Sequence, residues 1–164
     1  MLPFGSLTPH PGWGDPRQSR ETHDEERTEM NLWAIARSPL ILGCNLTKLD
    51  DFTRSLITNQ TLLYMHQTAT YSRPVDAKDL PPGFEHARVW RGTIDQPGSR
   101  GYAEFFGFFN LDDQPLKLRA TWKQLGIEDG KHQAQDVWAD EAAKESKEVN
   151  ITLPAHGSAV FEVK

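Results

Sequence analysis

The apolar positions change period near residue 67, and the change divides the chain. Between Met30 and Ala36 every position except Asn31 is apolar, so a helix there is hydrophobic around most of its girth and demands cover on more than one side. Its start is written in Thr22-His23-Asp24-Glu25. A threonine followed three residues on by glutamate is a capping box, in which hydroxyl and carboxylate satisfy exposed backbone amides reciprocally. Asp24, Glu25, Glu26 and Glu29 suit the positive end of the helix dipole, Arg37 falls near the negative end, and Pro39 is expected to stop the helix. Leu40-Ile41-Leu42-Gly43 is then a continuous apolar run of strand length, the pattern of a strand covered on both faces in a parallel sheet. Leu46, Leu49, Phe52, Leu56 and Ile57, followed by Leu62, Leu63 and Met65, predict two short helices between Asn45 and Gln67, with Thr47 and Asp50 as caps. Residues 1–67 offer this single parallel-type strand, whose neighbours are missing. Ahead of it, Pro3, Gly5, Pro9, Pro11, Gly12, Gly14 and Pro16 read as a long loop.

Beyond Gln67 the period is two. Ala87, Val89 and Trp90 lie in one strand, and Tyr102 to Phe109 forms another, apolar on both faces and therefore central. Leu116, Leu118, Ala120 and Trp122 alternate with Lys117, Arg119 and Thr121. Val149, Ile151 and Leu153 alternate, Pro154-Ala155-His156-Gly157 turns the chain, and Ala159, Phe161 and Val163 alternate again, which predicts a hairpin. Asp95-Gln96-Pro97-Gly98, Asp112-Asp113-Gln114-Pro115 and Asp129-Gly130 mark further turns, so the pattern predicts an antiparallel β-sandwich of six to eight strands.

Composition narrows the chemistry. Eighteen Lys and Arg against twenty-three Asp and Glu give a net charge of -5, so no positive field attracts a phosphate backbone and nucleic acid is not an expected partner. The longest apolar run, Pro39 to Cys44, is far short of the about 20 residues that span a bilayer, and no membrane partner is expected. Met1 to Ser6 has no basic stretch leading into an apolar core, as a signal peptide would. Cys44 is the sole cysteine, which excludes an internal disulfide and a cysteine-rich zinc site. The six histidines lack ligand spacing, and no motif implies a metal or cofactor.

The run from Met30 through Arg37-Ser38-Pro39-Leu40-Ile41-Leu42-Gly43, continuing through Asn45-Leu46-Thr47-Lys48-Leu49-Asp50-Asp51 to Leu56-Ile57-Thr58-Asn59, closely resembles the family-27 glycoside hydrolases, the α-galactosidases. That resemblance implies a fold: the last βα segment of a (β/α)8 barrel in residues 1–67, followed by an antiparallel β-sandwich domain in residues 68–164. It also implies the C-terminal portion of a retaining glycosidase acting on terminal α-galactosides in carbohydrate metabolism. The family's seventh barrel strand ends in Trp-x-Asp-Pro-Asp-Met-Leu, and this chain opens with Met1-Leu2, so the expectation is a chain that begins inside the motif. The family's nucleophile and acid/base are aspartates on earlier strands, so no residue here is assigned as catalytic and the isolated chain is expected to be inactive. Its expected partner is the missing barrel segment, through which it would meet an α-galactoside. The competing reading is a stand-alone carbohydrate-binding or interaction sandwich.

By the same resemblance Met1 matches the motif methionine that lines the sugar subsite. Trp13, in the loop His10-Pro11-Gly12-Trp13-Gly14, is the other candidate substrate contact, since an aromatic on a loop after a barrel strand can stack on a sugar ring; packing against the sandwich or a neighbouring loop is the competing role, and the more frequent one for such a residue. The chain departs from the family pattern at Glu21, where leucine is common, and at His66-Gln67, where Asn-Gln is frequent. Asp50-Asp51 reads as helix capping and Asp112-Asp113 as turn chemistry. Trp90, Trp122 and Trp138 read as packing residues, and Cys44 as a small core residue. Without the barrel, residues 30–57 are expected to expose a hydrophobic surface.

Overall fold

The computed structural model describes residues 1–9, 11–12, 14–95, 101–139 and 141–164. The chain opens with two short paired strands, β1 (Ser6–Leu7) and β2 (Arg17–Gln18), antiparallel to one another. Helix α1 (His23–Ile35) follows, and its capping box is complete: Glu25 N–H donates to the Thr22 hydroxyl at 3.3 Å, and Thr22 N–H donates to the Glu25 carboxylate at 2.7 Å. The helix ends earlier than Pro39 requires. Ser38 N–H reaches back to the Trp33 carbonyl at 2.9 Å and Arg37 N–H to that of Ala34 at 3.1 Å, with Arg37 in the left-handed region at φ 55. These two bonds form a Schellman ending that satisfies the last carbonyls before the proline is reached.

The apolar run after α1 is not a two-sided buried strand. Leu40 to Cys44 makes one isolated parallel bridge, Leu2 with Leu42, built from Leu2 N–H to the Ile41 carbonyl at 2.7 Å and Gly43 N–H to the Leu2 carbonyl at 2.8 Å. An antiparallel bridge joins Leu7 to Cys44. A parallel strand becomes buried on both faces only when layers cover both, and here Ile41 stays 60% exposed. The proline-rich opening is correspondingly less loop-like than its composition, since Leu2, Phe4 and Leu7 are all buried.

A 3-10 turn at Leu46–Lys48 is capped by Asn45, whose side chain accepts from Thr47 N–H at 3.0 Å, so Thr47 is the capped residue and not the cap. Helix α2 (Asp51–Thr58) is capped by Asp50 as expected, and α3 (Gln60–Thr68) by Asn59. Among the described residues no helix is long and apolar enough to cross a membrane.

Among the described residues eight further strands build the sandwich: β3 (Tyr71–Pro74), β4 (Ala87–Ile94), β5 (Ala103–Asn110), β6 (Leu116–Thr121), β7 (His132–Asp136), β8 (Lys144–Ser146), β9 (Glu148–Leu153) and β10 (Ser158–Val163). Six form an antiparallel sheet in the order β3-β4-β5-β10-β7-β8, and β6 pairs with β9 in a second sheet. The expected hairpin is absent. β9 pairs with β6 while β10 pairs with β5 and β7, so Pro154–Gly157 carries the chain from one sheet to the other. Alternation fixes which side chains face inward but not which strand lies alongside, and both strands find better-matched partners elsewhere. The turn at Asp95-Gln96-Pro97-Gly98 falls mostly on residues 96–98, outside the described residues.

The large sheet is buried on both faces. On one, Phe106 and Phe108 of β5 pack with Leu118, Ala120 and Trp122 of the β6 segment and with Val149 and Leu153 of β9. On the other, Phe105, Phe109 and Val160 pack against Met30, Ala34 and Ile35 of α1 and against Leu56, Leu62 and Met65. The helices can approach so closely because two sheet positions lack side chains. A Cβ on Gly107 would stand 3.2 Å from the Ile35 Cδ1 and 2.9 Å from the Phe109 ring, and one on Gly92 would lie 3.7 Å from Ile35. Asn31, fully buried, ties the layers together: its amide donates to the Ser158 hydroxyl and its carbonyl accepts from the Trp138 indole, both at 2.9 Å. The hydrophobic surface expected at residues 30–57 is therefore mostly covered by the chain's own sheet, leaving Ile41 and Leu46 as its exposed large apolar residues.

Candidate functional site

Of the two expected sugar contacts, only Met1 lies within the described residues. Met1 is 65% exposed, and its side chain lies over Gly43: a Cβ there would be 3.0 Å from Met1 Cγ and 3.3 Å from the Leu2 carbonyl oxygen. Trp13 and His10 lie outside the described residues, so the structure does not place Trp13 beside Met1.

What the fold gathers near the chain's start is a set of carboxyl groups. Gly5, at φ 57, takes a conformation that suits glycine, and a Cβ on it would stand 2.5 Å from the Thr53 hydroxyl. This close approach brings Gly5 N–H to within 2.8 Å of the buried Glu26 carboxylate. One helical turn on, Glu29 faces Glu21. Desolvation raises the Glu29 pKa to about 7, with the Glu21 charge and the hydrogen bond between the two carboxyls adding to it and the amino terminus opposing it. Glu21 is raised as well, first by burial and then by Glu26. Two carboxyls held in contact cannot both ionise cheaply, so the pair keeps a proton near neutral pH. Glu21 was visible in the sequence only as a departure from the family pattern; nothing in the spacing joined it to Glu29.

This proton is linked to stability. Glu29 titrates at about 7 when folded against an ordinary 4.5, so its contribution is complete below about pH 4.5 and is lost as pH rises through about 7. Glu29→Gln is therefore expected to flatten the fall in Tm between about pH 5 and 8 and to raise Tm at pH 8 by roughly 2–4 °C. That corresponds to about 1 kcal/mol once solvent screening of the half-exposed pair is allowed for. Thermal melts of both proteins across that range check it, and a parallel decline in the two would refute the shared proton.

The remaining candidates resolve into structural roles. Asp50 accepts from Thr53 N–H at 2.6 Å as a helix cap. Asp112 and Asp113 lie in the turn after β5, 3.5 Å from His86 and 2.9 Å from His156 respectively. Burial raises the Cys44 thiol pKa, which leaves it a poor nucleophile. Trp122 is buried, with its indole N–H donating to the Ser146 carbonyl at 3.1 Å, and Trp90 and Trp138 are half-buried against the helix-side core. His23 instead stacks on Phe52 at 3.8 Å between centroids. Arg27 lies over both Phe52 and Trp138, 5.6 and 5.5 Å from their centroids. Among the described residues no group of three His, Cys, Asp or Glu could hold a metal ion.

An eight-stranded antiparallel sandwich with helices on its second face defines the class, and comparison with known proteins places it. Residues 86–163 match the family described as the alpha galactosidase C-terminal beta sandwich domain. The chain is 24% identical over 157 residues to an alpha-galactosidase of Cyamopsis tetragonoloba, covering 92% of this chain and 36% of that protein. It is 25% identical to alpha-galactosidase A of Cellvibrio japonicus, covering 87% and 36%. Among solved structures, a GH27 β-L-arabinopyranosidase from Geobacillus stearothermophilus superposes with a TM-score of 0.83 at 30% identity, over 100% of this chain and 36% of that one. Alpha-galactosidase I of Mortierella vinacea shares the fold, with a TM-score of 0.73 at 20% identity over 87% of this chain and 36% of its own.

Residues 86–163 match the C-terminal sandwich of the α-galactosidases, and the chain along its length is similar to family-27 glycoside hydrolases. It spans about a third of the length of the curated relatives it matches.

Proposed function

We propose that this chain is the C-terminal portion of an α-galactosidase-like retaining glycoside hydrolase that acts on terminal α-galactosides, and that on its own it does not hydrolyse them. In this reading residues 1–67 are the close of a (β/α)8 catalytic barrel and residues 68–164 its terminal sandwich. The observation that carries it is the parallel bridge between Leu2 and Leu42: two backbone segments run side by side in the manner of adjacent barrel strands, and helix α1 lies between them in sequence. The segment exposes Ile41 and Leu46, which a neighbouring barrel strand and helix would cover.

Retaining hydrolysis needs two carboxyl groups roughly 5–5.5 Å apart, one attacking the anomeric carbon and one protonating the departing oxygen. Barrel enzymes raise such groups on the C-terminal ends of several different strands. Glu21 and Glu29 do not meet the requirement, because Glu21 precedes helix α1, Glu29 lies on it, and neither is carried on the C-terminal end of a strand. The working aspartates belong to the barrel segment, with Met1 and Trp13 contributing to the sugar subsite from this side. The Geobacillus relative's β-L-arabinopyranoside has the ring stereochemistry of an α-D-galactopyranoside without its hydroxymethyl group, so both sugars fit the reading.

The purified chain is expected to show no turnover of an aryl α-galactoside or an aryl β-L-arabinopyranoside. Turnover that stays with the chain through successive purification steps would overturn the reading.

A further inference from the structure

The small β6–β9 sheet does not cover the whole of the large sheet's inner face. Beyond its edge two rows of side chains cross strands β3, β4 and β5. In one, Tyr71 is opposite Thr93 and Thr93 opposite Glu104; in the next, Arg73 is opposite Arg91 and Arg91 opposite Phe106. Phe106 is fully buried, whereas Tyr71 is 66% exposed, so the cover ends between the rows. Two clefts result. One of about 360 Å3 is lined by Tyr71, Arg73, Arg91, Thr93 and Glu104. The other, of about 450 Å3, runs from Arg73 and Arg91 past Asp76 and Asp79 to Gln124 and Gly126. Sharing both arginines, they form one continuous groove.

Part of the groove is rigid. Arg91 donates twice to Glu104, both bonds at 2.8 Å, and once to the Gly126 carbonyl at 3.2 Å, while the Thr93 hydroxyl donates to Glu104 at 2.8 Å. Three of the five guanidinium N–H groups are thereby engaged and two remain. The Arg73 side chain makes no hydrogen bond or ion pair within the described residues, and neither does the Asp79 carboxylate.

The charges decide what such a groove can hold. Arg91 is paired with Glu104 and Lys78 lies 3.7 Å from Asp76, which leaves Arg73 and Asp79 as one charge of each sign, so neither an anion nor a polycation is selected. Fixed donors and fixed acceptors beside an exposed aromatic ring match a neutral polyhydroxylated ring: its hydroxyls accept from guanidinium and donate to carboxylate, and its C–H face lies on the tyrosine. Tyr71 and Arg73 are two residues apart on one strand, roughly 6.6 Å, so their side chains stand side by side on the same face of the sheet.

We propose that the groove from Tyr71 to Gln124 is a binding site for a neutral carbohydrate chain, with one sugar ring on Tyr71 and the next against Arg73 and the Asp79 carboxylate. It is separate from the Met1 end of the molecule. The choice of galactose-bearing glycans as first probe rests on the proposed function; the groove itself does not.

The test is native affinity electrophoresis of the full chain in gels containing soluble galactomannan, galactose-free dextran or dextran sulfate. Retardation by either neutral polysaccharide is expected, with a dissociation constant of about 1 mM for a short oligosaccharide. Tyr71→Ala and Arg73→Ala should each weaken it at least about tenfold without lowering Tm, since both side chains are exposed. Retardation by dextran alone supports the groove and counts against galactose only. No retardation by either neutral polymer, retardation by dextran sulfate alone, or retardation indifferent to both substitutions would overturn the proposal. None of these outcomes bears on hydrolysis, so the fate of the enzyme reading is decided separately.

Discussion

Residues 68–164 produced without residues 1–67 are expected to be insoluble or to aggregate, although they contain all eight strands of the sandwich. The reason is the second core. Ile94, Ala103, Phe105, Phe109 and Val160 face α1 and α3 and are each 5% exposed or less. Removing the helices puts these side chains in water, and each large one forfeits about 1.5–3 kcal/mol of burial. Their sum is comparable to the roughly 5–15 kcal/mol that holds a domain together. The uncovered patch also exceeds what soluble monomers ordinarily present. Expression of the two lengths side by side, followed by sedimentation and a denaturant titration, checks the expectation. A soluble 68–164 fragment with a cooperative transition like that of the full chain would mean that the helix layer is dispensable. Position 67 thus divides the sequence by period, while the helix-side core draws on both sides of it.

Ile35→Asp is expected to unfold the chain, and Ile41→Asp to leave it within about 0.5 kcal/mol of the parent. Ile35 lies in the apolar run Met30–Ala36 and Ile41 in the run Leu40–Gly43, and pattern alone makes both buried. Ile35 is 1% exposed and fills the space above Gly92 and Gly107, so a carboxylate there has no partner and its burial costs several kcal/mol. Ile41 is 60% exposed and meets water already. Should the same two substitutions be made in a full-length enzyme carrying the barrel, Ile41→Asp is expected to become destabilising too, because a barrel neighbour would cover it. Urea midpoints for both variants give the comparison, and an equal loss at the two positions would contradict the layering described here.

Local chemistry was legible in the sequence wherever its partners lie within a few residues. The Thr22 capping box, the Asp50 cap and the two-faced β5 all follow from short-range rules, and each is found as expected. The failures are non-local. Leu40–Gly43 has the composition of a doubly covered strand, but Leu2 alone pairs with it in parallel, so the run forms a bridge and not a strand. Val149–Leu153 and Ala159–Val163 look like a hairpin because they are adjacent and alternate; register with β6 and β5 separates them into different sheets. β7, His-Gln-Ala-Gln-Asp, has too little apolar character to announce itself, and its place is fixed by β10 alongside.

The site was less legible for the same reason. Glu21 and Glu29 lie on either side of the helix start and meet only once the chain enters α1. The Tyr71 groove gathers its residues from three strands whose order no local signal encodes. An edge strand ending in proline with an outward tyrosine was the signal available, and composition hid it among threonine and serine.

The central claim is that this chain is an inactive part of an active whole, and one assay addresses it most directly. The barrel segment of the Geobacillus relative, lacking the third of its chain that this protein matches, is joined in frame to residues 1–164, and aryl glycoside hydrolysis is measured for the joined protein and for each piece alone. Turnover is expected in the joined protein and in neither piece. Turnover by residues 1–164 alone, or a soluble, cooperatively folded joined protein without turnover, would contradict it.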